Sequence, residues 1–139
     1  MIAIIRIAGM VNRTEKIENT LDRLRLRRKY ACVVVNESPE ILGMIKKIRS
    51  FVAYGKIDKE TLVELVKLRG QLTDKKKKID ANKIAETILK DKGFDNVKEI
   101  KPFFRLHPPR GGINSKQHYP DGVLGEHKAE INKLIRRML

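Results

Sequence analysis

Over the first 57 residues the apolar pattern switches four times between a strand period and a helical period, and no other feature limits the fold so tightly. Ile2-Ala3-Ile4-Ile5-Arg6-Ile7 is rich in β-branched residues and stops at Gly9, which reads as a strand followed by a turn. Asn12, with Glu15 three residues on, has the spacing of a capping box. Ile17, Leu21 and Leu24 then share one helical face, so a first helix is expected to run to about Leu24. Ala31-Cys32-Val33-Val34-Val35 reads as a second strand. Ser38-Pro39-Glu40 supplies an N-cap, a proline preset for the first helical position and an acid for the positive end of the helix dipole. Ile41, Ile45 and Ile48 form that helix's buried stripe, and Phe51-Val52-Ala53-Tyr54 follows as a third strand. The links around the second helix are short, whereas the link after the first is long enough to reverse the chain. Strands two and three can therefore run parallel, with strand one between them and antiparallel to both. The expected class is α+β, with a three-stranded β-α-β-α-β core over residues 1–57, a relative of the ferredoxin-like fold with its first strand central.

Residues 58–139 read as a mainly helical extension. Asp58 stands where a cap would stand, Leu62, Leu65 and Val66 make an apolar face, and Gly70 has the place of a C-cap. Asp80 opens a further helix, which Ile79 can staple to Ile84 and Gly93 ends. From Pro102 to Gly125 lie four of the five prolines and four of the nine glycines, so neither helix nor strand is expected there. A last helix near His127 to Leu139 carries Ile131, Leu134, Ile135 and Met138 on one face.

The balance of charge decides the class of partner. Among 139 residues, 31 Lys and Arg face 17 Asp and Glu, a formal net charge of +14 that demands an anionic partner. Charged residues are 35% of the chain, against roughly 25% in average soluble proteins. Nucleic acid fits. A membrane does not, since no stretch approaches the roughly 18 apolar residues of a spanning helix and Met1 to Ala8 has no signal-peptide form. A cytoplasmic protein is expected. Cys32 sits inside an apolar run as a small hydrophobe, and His107, His118 and His127 match no zinc spacing, so neither metal nor cofactor is expected. Phosphate-binding, nucleophile-elbow and dinucleotide glycine motifs are absent. Arg13 and Asn36 mimic an acylphosphatase site only superficially, and no small-molecule substrate is expected.

Candidate RNA contacts follow from where cations meet glycine or aromatic residues. In Arg23-Leu24-Arg25-Leu26-Arg27-Arg28-Lys29 the leucines can anchor on the core while the cations face outward. Phe103-Phe104-Arg105-Leu106-His107-Pro108-Pro109-Arg110-Gly111-Gly112-Ile113-Asn114-Ser115-Lys116 interleaves ring, cation and glycine, as a segment tracking a sugar-phosphate backbone would; an ordinary surface loop is the other reading. The candidate residues are thus Arg6 and Arg13 near the first strand; Arg23, Arg25, Arg27, Arg28 and Lys29; Lys46, Lys47 and Arg49 at the end of the second helix; Arg69; the loop cations Lys75, Lys76, Lys77 and Lys78; and Arg105, His107, Arg110, Gly111, Gly112, Lys116 and His118.

Ile5-Arg6-Ile7-Ala8-Gly9, Leu24-Arg25-Leu26-Arg27, Ser38-Pro39-Glu40-Ile41-Leu42-Gly43-Met44-Ile45, Ala53-Tyr54-Gly55 and Leu68-Arg69-Gly70 resemble, in order, the universal large-subunit ribosomal protein family conventionally numbered thirty, whose eukaryotic form is numbered seven. Pro109-Arg110-Gly111-Gly112 and Ile131-Asn132-Lys133-Leu134-Ile135-Arg136-Arg137-Met138 resemble its archaeal and eukaryotic branch. Bacterial members resemble only the part up to about Ile57, and a chain that starts at the first strand is similar to the archaeal form. The resemblance implies a structural constituent of the large ribosomal subunit, without catalysis, that binds and bridges ribosomal RNA near the central protuberance beside other ribosomal proteins. The rival expectations are a free RNA chaperone or ribosome-processing factor and, behind it, a small acylphosphatase-like enzyme.

Overall fold

The computed structural model describes residues 1–9, 11, 13–74, 78, 80–94 and 97–139. Strand β1 (Ile2–Arg6) is the middle of the sheet, flanked by β2 (Ala31–Val35) and β3 (Val52–Lys56). Both neighbours run antiparallel to it, with Ile2 opposite Val35 on one side and Lys56 on the other, so β2 and β3 point the same way. The split β-α-β arrangement expected from the links is therefore present.

Every residue of β1 is buried, which explains why residues 2–5 are a continuous apolar run rather than an alternation. Successive side chains leave a strand on opposite faces, and here both faces are covered. Ile2 and Ile4 pack with Val33, Val52 and the helices α1 (Glu15–Arg23) and α2 (Pro39–Ile48), through Leu21, Ile45 and Ile48. Ala3, Ile5 and Ile7 face the other way. They pack with Cys32, Val34 and Ala53 against α3 (Lys59–Arg69), α4 (Ala81–Lys90) and α5 (Ile131–Met138). The residues after 57 thus supply the cover for one whole face of the sheet.

They also lengthen it. β4 (Phe104–Arg105) pairs antiparallel with β2, and β5 (Gly125–Glu126) pairs parallel with β3, giving five strands in the order β4-β2-β1-β3-β5. The expectation of three strands, all ended by Ile57, is corrected, as is the expectation that 102–125 holds no strand. Two-residue strands show no periodicity; tertiary pairing alone makes them.

The helix starts divide the same way. Ser38 caps α2 as expected, its Oγ accepting from Ile41 N–H at 3.3 Å with Pro39 first in the helix. α1 begins later than expected, after an extended Thr14 whose carbonyl accepts from the N–H groups of Ile17 and Glu18 at 3.0 and 3.1 Å. The expected cap Asn12, and Ile79 of the expected staple, lie outside the described residues. Asp58 precedes α3 without a side-chain cap bond, and its own N–H donates instead to Asn132 Oδ1 at 3.0 Å. Asn132, nearly buried on α5, also donates to the carbonyls of Lys56 at 3.2 Å and Ala129 at 2.8 Å, tying β3, α3 and α5 together. Gly70 is not a left-handed cap; with φ −60° its need is room, since a Cβ there would strike the Val66 carbonyl.

Candidate nucleic-acid interface

The turn from α1 into β2 behaves as its leucine and arginine alternation requires. Leu24 and Leu26 are 5% and 0% exposed, and Arg23, Arg25, Arg27, Arg28 and Lys29 all face solvent. Arg25 and Tyr30 take left-handed backbone conformations, φ 61° and 63°, so the loop between them has a defined and costly shape.

β4 brings the second basic segment to this loop. Ala31 stands opposite Arg105, and the N–H of Leu106 donates to the Tyr30 carbonyl at 3.0 Å. Phe104 enters the core, and Phe103, just before the strand, is half-buried against the cluster on the other face of the sheet and lines a cleft there. The result is an open cleft of about 580 Å³ lined by Arg25, Arg27, Arg28, Lys29, Phe103 and Arg105, with no acidic residue among its described lining. The Arg105 guanidinium lies 5.8 Å from the Phe103 ring centre, and Lys29 Nζ lies 4.9 Å from that of Tyr30. Cations gathered without counter-ions repel one another until an anion enters. Rings flanked by guanidinium groups also offer stacking faces to bases.

Other candidates fall elsewhere. Arg6 is corrected: it is 0% exposed and bonds backbone carbonyls, so it faces no surface partner. Arg13 is largely covered as well, with its side chain 6% exposed and paired with Glu18 at 3.2 Å. Arg69 is half-buried and donates to the Leu139 carbonyl at 3.0 Å. Arg110 shares a groove with Arg69 and Arg136, not with the arginine cleft. Its turn is held by Arg137, whose guanidinium donates to the carbonyls of Arg110 and Gly112, both at 2.9 Å from Nη2. Gly111 and Gly112 have φ 82° and 75°, so this turn geometry already accounts for both glycines. His107, Lys116 and Lys78 are exposed, while Lys75, Lys76 and Lys77 lie outside the described residues.

At the opposite sheet edge a second open cleft, about 700 Å³, gathers Arg49, Tyr54, His118, Tyr119, Glu126 and Lys128. Lys46 and Lys47 are exposed on the last turn of α2, just before Arg49. Burial, followed by the Glu126 charge, raises the Tyr54 pKa, and Arg49 opposes the rise. Sequence reading missed Tyr54, Tyr119 and Lys128, and it placed Phe103 in the candidate segment without singling it out. For Phe103 the signal was an aromatic residue two positions before Arg105 in a basic segment.

Burial pushes the Cys32 thiol up to about 12, so it is no nucleophile at neutral pH. Among the described residues no group of three or more His, Cys, Asp or Glu is placed to hold a metal, and no helix is long and apolar enough to cross a membrane.

Residues 2–52 match the model of the family described as ribosomal protein L30p/L7e. Three similar proteins bear the name large ribosomal subunit protein uL30. That of Archaeoglobus fulgidus is 41% identical with 99% of each chain covered. That of Methanoculleus marisnigri is 38% identical, again with 99% of each covered, and that of Methanococcus vannielii is 37% identical over 99% of this chain and 98% of its own. The family model stops at the first residue of β3, whereas these relatives also span the part that supplies Phe103 and Arg105. Identity of this level along nearly the whole length, on the split β-α-β sheet with its central first strand, shows that the chain belongs to the L30p/L7e family of ribosomal proteins.

Proposed function

We propose that this chain is a structural constituent of the large ribosomal subunit, cytoplasmic and without catalysis of its own, which binds ribosomal RNA through the arginine cleft at the β2–β4 edge. The observation that carries this is the pairing of β4 with β2. It draws Arg25, Arg27, Arg28, Lys29 and Arg105 around one cleft beside Phe103, with no acid among the described lining. Phosphates fill such a space on electrostatic grounds alone, and the ring adds a face for one base. The uL30 name of the relatives supports the same partner.

The second basic cleft, with Arg49, His118 and Lys128, lies at the other end of the sheet, and Lys46 and Lys47 extend the charge near it. On this reading the rigid sheet holds two cationic edges a fixed distance apart and bridges RNA segments whose phosphates repel. Arg23, at the end of α1, and the exposed His107, Arg110 and Lys116 add contacts of their own. Neighbouring ribosomal proteins complete the set of partners.

Ultraviolet crosslinking of assembled large subunits, followed by mass spectrometry of the RNA-linked peptides, tests the assignment. Crosslinks are expected within residues 25–29 and 103–107. Crosslinks confined to other faces overturn it. Sucrose-gradient sedimentation separates the structural role from that of a free chaperone: stoichiometric comigration with large subunits supports the first, and retention at the top of the gradient the second.

A further inference from the structure

The fully buried Arg6 guanidinium is ringed by main-chain carbonyls. Nη1 donates to Leu26 O at 2.7 Å and to Arg27 O at 2.8 Å, Nε to Ala8 O at 3.2 Å, and Nη2 to Gly9 O at 3.0 Å. The carbonyl of Arg6 itself accepts from the N–H of Tyr30 at 2.7 Å. One residue at the end of β1 therefore grips the basic loop twice, at Leu26 and Arg27 by its side chain and at Tyr30 by its backbone. The loop needs that grip. Its two left-handed residues, Arg25 and Tyr30, keep such conformations only where the surroundings over-determine them, and its exposed cations repel one another when no anion is bound. Burial and then the Arg13 charge lower the Arg6 pKa, while Asp22 and Glu18 of α1 oppose them.

We propose that Arg6 is a positioning residue for RNA binding: it touches no RNA and holds residues 25–30 in the shape that turns their cations toward the cleft. The inference rests on the arginine cleft being an RNA site. A planar guanidinium is what the geometry requires, because its donors point in fixed directions at two chain segments at once. A lysine ammonium has the charge but not the fork.

The test is filter binding of Arg6→Lys to large-subunit RNA across a salt series, beside the parent and the triple variant R25A/R27A/R28A, with thermal melts confirming that each is folded at the assay temperature. Arg6→Lys leaves net charge and phosphate contacts unaltered. Its affinity at fixed salt should fall about tenfold, the loss expected if the loop holds its binding shape only one tenth of the time. The slope of log affinity against log salt should stay at the parent's value in Arg6→Lys and also in Arg6→Gln, a further variant that removes the charge and would lose about one unit of slope if Arg6 held a phosphate, whereas the triple variant should flatten it. Parent-like affinity in a folded Arg6→Lys, with the triple variant weakened, overturns the positioning role and leaves the cleft standing. A slope flattened by about one in a folded Arg6→Gln makes it a phosphate ligand and overturns the role too. A parent-like triple variant overturns the cleft reading and this inference with it. Should Arg6→Lys not fold, NMR order parameters of the parent decide: backbone values for 25–30 near the rigid 0.85 or so support the clamp, and values below about 0.6 overturn it.

Discussion

Removing Arg25, Arg27 and Arg28 together separates a built site from a generally basic surface. All three side chains are exposed and line one cleft, so R25A/R27A/R28A should leave the core intact while lowering formal charge by three. If each arginine engages one phosphate, the salt slope falls by about 0.9 per contact, or roughly 2.7 in all. Across a fourfold rise in salt, from about 50 to 200 mM, the parent should then lose roughly 40-fold more affinity than the variant. The control is K59A/K83A/K133A, with the same change in charge. Those lysines already pair with Glu86 at 3.3 Å, Asp80 at 3.4 Å and Glu130 at 2.8 Å. Filter binding to a large-subunit RNA fragment, repeated at five or so salt concentrations, gives both slopes. Equal slope changes in the two variants would refute the reasoning, because net charge rather than the cleft would then govern binding.

Phe103→Ala and Phe104→Ala should part company despite adjacency. Phe104, fully buried with its ring 5.9 Å from that of Phe94, should cost about 3–5 kcal/mol of stability in denaturant unfolding, and Phe103→Ala should instead weaken RNA binding by about 1–3 kcal/mol. Equal effects of the two on stability would count against this division of roles. Asn132→Ala removes three hydrogen bonds at the junction of β3, α3 and α5, about 3 kcal/mol, and should lower the melting temperature by roughly 6–12 °C; an unchanged melt sinks that role. Cys32 has its folded pKa raised from 9.0 to about 12, so the unfolded chain loses its thiol proton first as pH climbs. Its contribution to stability is whole below about pH 9 and falls by about 1.4 kcal/mol per pH unit up to about 12, a decline that Cys32→Ala should lack when unfolding is followed against pH.

What the sequence disclosed was whatever local chemistry decides. Ser38 and Pro39 define a helix start within four residues, and the alternation of Leu24 and Leu26 with arginines fixes which side chains face water. Arg6 was misjudged because a cation in a strand reads as a solvent contact, whereas its partners Leu26 and Arg27 lie twenty and more residues away. The pairing of Phe104 and Arg105 with β2 leaves no period to detect, so the joining of two basic segments into one cleft was hidden although both segments were visible. Arg110 shows the converse, for its neighbours in sequence seemed to place it with Arg105 and the turn held by Arg137 carries it elsewhere.

The two-residue strands β4 and β5 bear on the life of the chain before assembly. Without them β2 and β3 would each present five residues of unpaired backbone, a template on which a second copy could build. β4 blocks one margin at Ala31 and Cys32 and leaves the exposed cation Arg105 there; β5 blocks the other at Ala53 and Tyr54 and leaves the exposed acid Glu126. Short, charged margins are poor seeds for aggregation. Each margin of the sheet thus offers a second copy a shortened, charged edge rather than five free residues.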